Sequence, residues 1–141
     1  MIPNRIFQKV GLFDEGFYPL YFDDFDFCLR ATKAGFKIVY LPNAIFWHGI
    51  GKTTQKFPSK KIYYWWYKNK IRFYIKHASL LQIIPAFVVQ LFATTAKSIT
   101  TKQNLMFCLF KAFFINFSQL PDIINNKKRL HSSKNNNNGN S

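Results

Sequence analysis

Five of the six carboxylates in this chain stand between positions 14 and 26, and that crowding limits what the chain can fold into. Asp14, Glu15, Asp23, Asp24 and Asp26 form the cluster, and the next acidic residue is Asp122. Between Asp26 and Asp122 the only formally charged side chains are Lys and Arg. Like charges held close repel and raise one another's pKa. A chain with 20 basic and 6 acidic residues that still gathers its acids in one stretch is expected to use that stretch for chemistry or for a cation. The remainder, which brings the formal charge to +14, suits a polyanionic partner such as a phosphorylated substrate, anionic lipid headgroups or nucleic acid.

A length of 141 residues fits one ordinary domain. With 48% hydrophobic and 19% aromatic residues, the chain is too apolar to stay disordered. Cys28 and Cys108 have neither metal spacing nor a disulfide framework. Both lie in apolar helical contexts, so buried free thiols are expected. The first ten residues contain no apolar core of a signal peptide.

Three parts follow one another. Residues 1–57 read as mixed α/β, residues 58–120 as cationic and apolar helices, and residues 121–141 as a disordered polar tail. Asn4 is expected to cap a short helix to Val10 that Gly11 ends. Residues 22–34 read as a second helix, with Asp23 and Asp24 at its positive end. Residues 36–41 and 44–48 read as two short strands about Pro42. Ser59 is expected to open a long helix to about His77. At helical pitch Lys61, Lys68, Arg72 and Lys76 share one side, beside an aromatic face with Trp66 and Phe73. Residues 80–96 approach the shortest apolar length that spans a membrane, ~17 residues. Residues 105–117 are shorter and interrupted by Lys111. Both stretches are expected in a membrane interface with lysines reaching the phosphates. The alternative is a pair of core helices in a larger assembly.

The acidic stretch sits inside a longer ordered pattern. Gly11, Phe13, Asp14 and Glu15 lead to the aromatic pair Phe17 and Tyr18. Asp23, Asp24, Asp26, Arg30, Gly35, Pro42 and His48 then follow. In order and spacing, residues 10–51 resemble the C-terminal catalytic half of a family 2 glycosyltransferase of the rhamnosyltransferase-like kind. Asp23 stands where that family usually has Glu, and Lys68-Asn69 where relatives often have Arg-Asn. The resemblance implies an α/β fold, the C-terminal part of a GT-A type nucleotide-sugar transferase, followed by amphipathic and apolar helices. It implies inverting transfer of a sugar from a nucleotide-sugar to a cell-surface glycan or lipid-linked acceptor. Such a transfer needs a base for the acceptor hydroxyl and positive charge on the leaving diphosphate. By resemblance Asp24 is the catalytic base, and Asp14, Glu15 and Asp23 bind substrate. Trp47 and Tyr18 stack on sugar faces, and His48 holds a divalent metal, Mg or Mn, or contacts the diphosphate.

Simpler roles stand beside these. Asp23 serves equally as a helix cap. Asp26 and Arg30, four residues apart, suit a structural pair. His48 beside Trp47 suits a structural histidine, and His77 and His131 read as surface residues. Residues 24–26 spell D-x-D, but the metal-holding motif of that spelling belongs to the family's N-terminal half. No strand-helix repeat for a nucleotide precedes this pattern, so the chain alone is expected to be inactive. Its expected partners are the nucleotide-sugar donor, the acceptor, an anionic membrane surface and a separate N-terminal nucleotide-binding half. The expected location is the cytoplasmic face of the cell membrane, peripheral or with one short membrane helix. The competing reading is a non-catalytic basic module that binds anionic membrane or nucleic acid through residues 60–76. Nucleic acid is the less expected target, and the basic-module reading as a whole gives the clustered acids and His48 no role.

Overall fold

The computed structural model describes residues 2–49 and 51–135, and of residues 128–135 the backbone alone. Six α-helices carry the fold: α1 (Asn4–Val10), α2 (Asp23–Lys33), α3 (Ser59–His77), α4 (Leu80–Thr101), α5 (Leu105–Ser118) and α6 (Leu120–Asn135). No strand occurs among the described residues, so the expected α/β fold of GT-A type is corrected to an all-helical one.

Residues 36–41 and 44–48, expected as strands, are irregular and joined by a turn in which Ala44 N–H donates to the Leu41 carbonyl at 3.0 Å. A strand exists by exchanging backbone hydrogen bonds with another strand. The rest of the described chain is helix and short connections, which leaves these β-prone runs no partner. Apart from the half-buried Phe36, their side chains stay in solvent, up to Trp47 at 99% exposure.

The helix boundaries follow local chemistry. Gly11, at φ 78°, donates its N–H to the Phe7 carbonyl and stops α1. Gly35, at φ 90°, adopts the left-handed conformation just past α2 that a β-carbon disfavours. Helix α3 starts at Ser59, but its hydroxyl does not cap it; it donates to Gln103 Oε1 at 3.1 Å. The Ser79 N–H at the start of α4 is met by Gln82 Oε1 at 3.0 Å. Lys127 Nζ donates to the carbonyls of Ile75 and Ala78, where the end of α3 leaves acceptors unpaired and the dipole favours a cation.

Helix α3 is the hub. One face buries Tyr67 against Leu105, Cys108, Leu109 and Ala112 of α5. The opposite face receives the acidic stretch. Helix α6 lies over residues that read as a polar tail and buries Ile123 completely; residues 136–141 lie outside the described residues. Cys108 is buried, but Cys28 is exposed, because α2 turns Asp26, Phe27, Arg30 and Ala31 inward.

Helices α4 and α5 leave large apolar side chains uncovered, among them Leu80, Leu81, Val89 and Phe92 on α4, and Phe107, Phe114 and Phe117 on α5. Among the described residues α4 alone is by itself long and apolar enough to cross a membrane. Helix α5 and the start of α6 reach that length only together, across a 63° break.

Candidate functional site

The segment between α1 and α2 crosses the cationic face of α3 and is gripped by it. Asp14 Oδ1 accepts the Gly16 N–H at 2.9 Å, which sets a single 3-10 turn over Glu15–Phe17. Lys68 Nζ donates to the carbonyls of Gly16 and Tyr18 at 3.3 and 2.7 Å. Asn69 Nδ2 donates to those of Phe17, Leu20 (2.5 Å) and Tyr21 (3.2 Å). Lys68-Asn69 thus closes on the backbone of the acidic loop.

The grip holds an unfavourable conformation. Tyr21 and Phe22 have φ of 72° and 71°, the left-handed region that costs a bulky residue about 1–3 kcal/mol. The Phe22 ring is fixed between Trp66 and Phe73, at centroid distances of 6.2 and 5.6 Å. The next residues are Asp23 and Asp24, in the first turn of α2.

One and two turns beyond Lys68, Arg72 and Lys76 meet the buried acids. Arg72 Nη2 lies 3.1 Å from Asp14 Oδ1 and 3.1 Å from Asp122 Oδ2. Lys76 Nζ bridges Asp14 Oδ2 at 2.8 Å and Asp26 Oδ1 at 2.7 Å. Arg30 Nε reaches Asp26 Oδ2 at 2.8 Å, and its other nitrogens donate to the carbonyls of Val10 and Leu12, tying α2 to the end of α1. Arg72 and Lys76, which helical pitch places on a cationic face, are therefore interior groups, 2% and 4% exposed.

Burial alone would raise the Asp26 carboxyl. Hydrogen bonds from His77 and Lys76, with the charges of Lys76 and Arg30, outweigh burial and hold it down to about 2. Asp14 moves the same way: burial opposes, and Lys76, the Gly16 N–H and Arg72 prevail. His77, which reads from sequence as a surface residue, places Nε2 at 2.7 Å from Asp26 Oδ1. Close approach to a carboxylate suggests an ion pair, but burial pushes the His77 pKa down, and Lys33 and Lys76 add to that against the pull of Asp26. We assign a neutral ring, Nε2–H donating to Asp26 and Nδ1 facing Lys33 Nζ at 3.5 Å.

Each of these three groups binds protons more weakly folded than unfolded, so acid destabilises the fold. The contribution of His77 is present above its unfolded pKa of 6.5 and is lost as pH falls through the lowered folded value. Those of Asp14 and Asp26 are present above 3.8 and lost below it, for Asp26 as pH falls through about 2. The denaturant midpoint is expected to drop in two steps on acidification, and His77→Gln to remove the upper one. A wild-type midpoint unchanged from pH ~7 to ~5 would refute the neutral histidine.

The remaining acids are differently placed. Glu15, Asp23 and Asp24 are exposed, and no ion pair engages them among the described residues. Asp24 Oδ1 accepts the Phe25 N–H at 2.8 Å. Asp23 makes no cap bond, because the capping position is Phe22. Tyr18 and Phe25, exposed at 78% and 63%, and the partly exposed Tyr21 belong to the same loop and helix start. Trp47 and His48 are exposed on the irregular segment, and no hydrogen bond, ion pair or ring contact joins them to the acidic loop. Among the described residues no three His, Cys, Asp or Glu side chains converge on a metal-sized site.

Comparison with protein families, with curated proteins and with solved structures finds no match to this chain.

Proposed function

We propose that this chain is the acceptor-side segment of a sugar transferase, with Asp24 as the general base. The observation that carries the reading is the division of the carboxylate cluster. Asp14 and Asp26 are ion-paired and inside, whereas Asp24 is left in solvent beside Asp23, just after two strained residues that α3 holds in place. A general base must be free to meet a hydroxyl and firmly placed. Tyr18, Tyr21 and Phe25 offer ring faces on which the C–H face of a sugar packs. In the proposed step the acceptor hydroxyl gives its proton to an Asp24 oxygen. The hydroxyl oxygen bonds to the anomeric carbon from the face opposite the leaving group, and the nucleoside diphosphate departs with the electron pair of the broken C–O bond. Arg72, Lys76 and Lys68 already serve Asp14, Asp26 and loop carbonyls. Cation charge for the diphosphate is therefore assigned, with nucleotide binding, to a separate N-terminal half.

The uncovered apolar faces of α4 and α5 support a place on the cytoplasmic membrane face, and so an acceptor that is lipid-linked or part of a cell-surface glycan. Exposed Lys61, Lys97 and Lys111 lie over the rings of Trp65, Tyr63 and Tyr64 at 5.0–5.5 Å, an arrangement suited to headgroup level. The same surface favours the second reading, a non-catalytic module for anionic membrane.

Membranes of cells that make the chain natively are the test material, with labelled nucleotide-sugars as donors. Asp24→Asn is expected to lower incorporation into lipid-extractable or polymeric glycan by ~10²–10⁴-fold while membrane retention is unchanged. Undiminished incorporation by the variant would overturn the base assignment. Retention with no incorporation by either protein would favour the membrane module.

A further inference from the structure

Helices α3, α4 and α5 enclose an apolar cleft of about 300 Å³. Its walls include Tyr74, Ile83, Ala86, Phe87 and Phe113, and its one cation is Lys70. Lys70 differs from its neighbours on α3. Arg72 and Lys76 have carboxylates, and Lys68 has carbonyls of the acidic loop. Lys70 has only neutral company: Gln90 Oε1 at 2.7 Å, the Trp66 ring at 4.6 Å and the Tyr74 ring at 5.9 Å. Gln90, 8% exposed, passes the contact on to Thr94 at 2.9 Å. No carboxylate pairs with Lys70 among the described residues, and burial lowers its pKa.

Lys70 lines the cleft with its stem, and an ammonium with neutral partners beside an apolar cleft complements a ligand that is apolar along its length and anionic at one end. The cleft is also continuous with the membrane-facing surface, because Ile84 and Val88 line it while 65% and 46% exposed on α4. A chain entering from the bilayer passes these residues without crossing water.

We propose that the cleft takes one apolar chain of a membrane lipid with a phosphate monoester head, the phosphate resting on Lys70. The proposal rests on the membrane placement above and gives it a specific lipid contact. On one surface it brings a lipid phosphate to α3, whose other face holds the acidic loop.

The test uses the full chain with phosphatidylcholine vesicles. A small fraction carries a photoactivatable acyl chain, attached either to phosphatidic acid or to phosphatidylcholine. Flotation reports membrane binding, and peptide mapping reports where the chain lies. With phosphatidic acid, labelling is expected in residues 74–75 and 83–87, at least fivefold above phosphatidylcholine. Lys70→Gln is expected to remove that preference and Lys70→Arg to keep it, with flotation unchanged. Ala86→Phe, which fills the cleft and leaves Lys70 intact, is expected to cut labelling in both regions. Flotation with equal labelling from the two lipids, or labelling confined to the outer phenylalanines of α5, overturns the cleft proposal alone. Failure to float on any vesicle overturns the membrane reading, and the cleft proposal with it.

Discussion

Replacing Asp26 by Asn is expected to cost the fold about 3–5 kcal/mol, the penalty of removing one partner from a buried ion pair. Asp26 is wholly buried, and Arg30, Lys76 and His77 all converge on its two oxygens. An amide of the same shape keeps some hydrogen bonds but removes the negative charge that pairs with the Arg30 guanidinium. Lys76 keeps Asp14, and Arg30 keeps the carbonyls of Val10 and Leu12, so the damage falls first on the junction of α1, α2 and α3. Denaturant unfolding, followed by helical circular dichroism in micelles that cover α4 and α5, measures it. The variant also lacks the part of the acid-induced loss that Asp26 supplies, because it no longer carries the carboxyl held down to about 2. A cost below ~1 kcal/mol, the range of surface pairs, would show that Asp26 is not the interior group described above.

Gly16→Ala is expected to be nearly as damaging, although it adds a single methyl. A β-carbon at position 16 would lie 2.1 Å from Arg72 Cζ. Side-chain ends often swing away from such a clash, but this guanidinium is pinned. It is 2% exposed, tied to Asp14 and Asp122, and set against the Phe17 ring at 5.7 Å. Displacing it strips Asp14 of one cation and opens the loop that Lys68 and Asn69 hold, a loss of about 3–5 kcal/mol if the buried pair breaks. A double-mutant cycle isolates the cause. In an Arg72→Met background, Gly16→Ala is expected to add less than ~1 kcal/mol, because the thinner side chain yields. Equal costs in both backgrounds would show that the methyl meets something other than the guanidinium.

The sequence carried the helices well and their partners poorly. α1 stops at Gly11 as its capping signal suggests, and α3 runs from Ser59 to His77 as periodicity suggests although Ser59 does not cap it, because those signals act within a few residues. The strands failed because strand identity belongs to a pair of segments: residues 36–48 have β composition but no second strand among the described residues. At the site, the Asp26–Arg30 pair was legible from its i, i+4 spacing. The ties of Asp14 to Arg72 and Lys76, and of Asp26 to His77, span 51 to 62 positions and leave no local trace. Helical pitch grouped Lys68, Arg72 and Lys76 correctly. It could not say that this face looks inward, since a lysine stripe that meets solvent and one that meets buried acids have the same periodicity. The imbalance of charge held the missing clue: with so few acids available, interior cations had to share Asp14 and Asp26.

Lys68 and Asn69 hold residues 16–21 by main-chain oxygens, which every amino acid provides. The loop's shape is therefore largely independent of the side chains displayed at Tyr18 and Leu20, whereas Tyr21, at φ 72°, restricts replacements to those that tolerate the left-handed region. Substitutions at Tyr18 and Leu20 can alter what the surface recognises while the path of the chain persists, so these positions form a natural panel for retuning selectivity by saturation mutagenesis. Gly16, by contrast, belongs to the frame and lies outside that freedom.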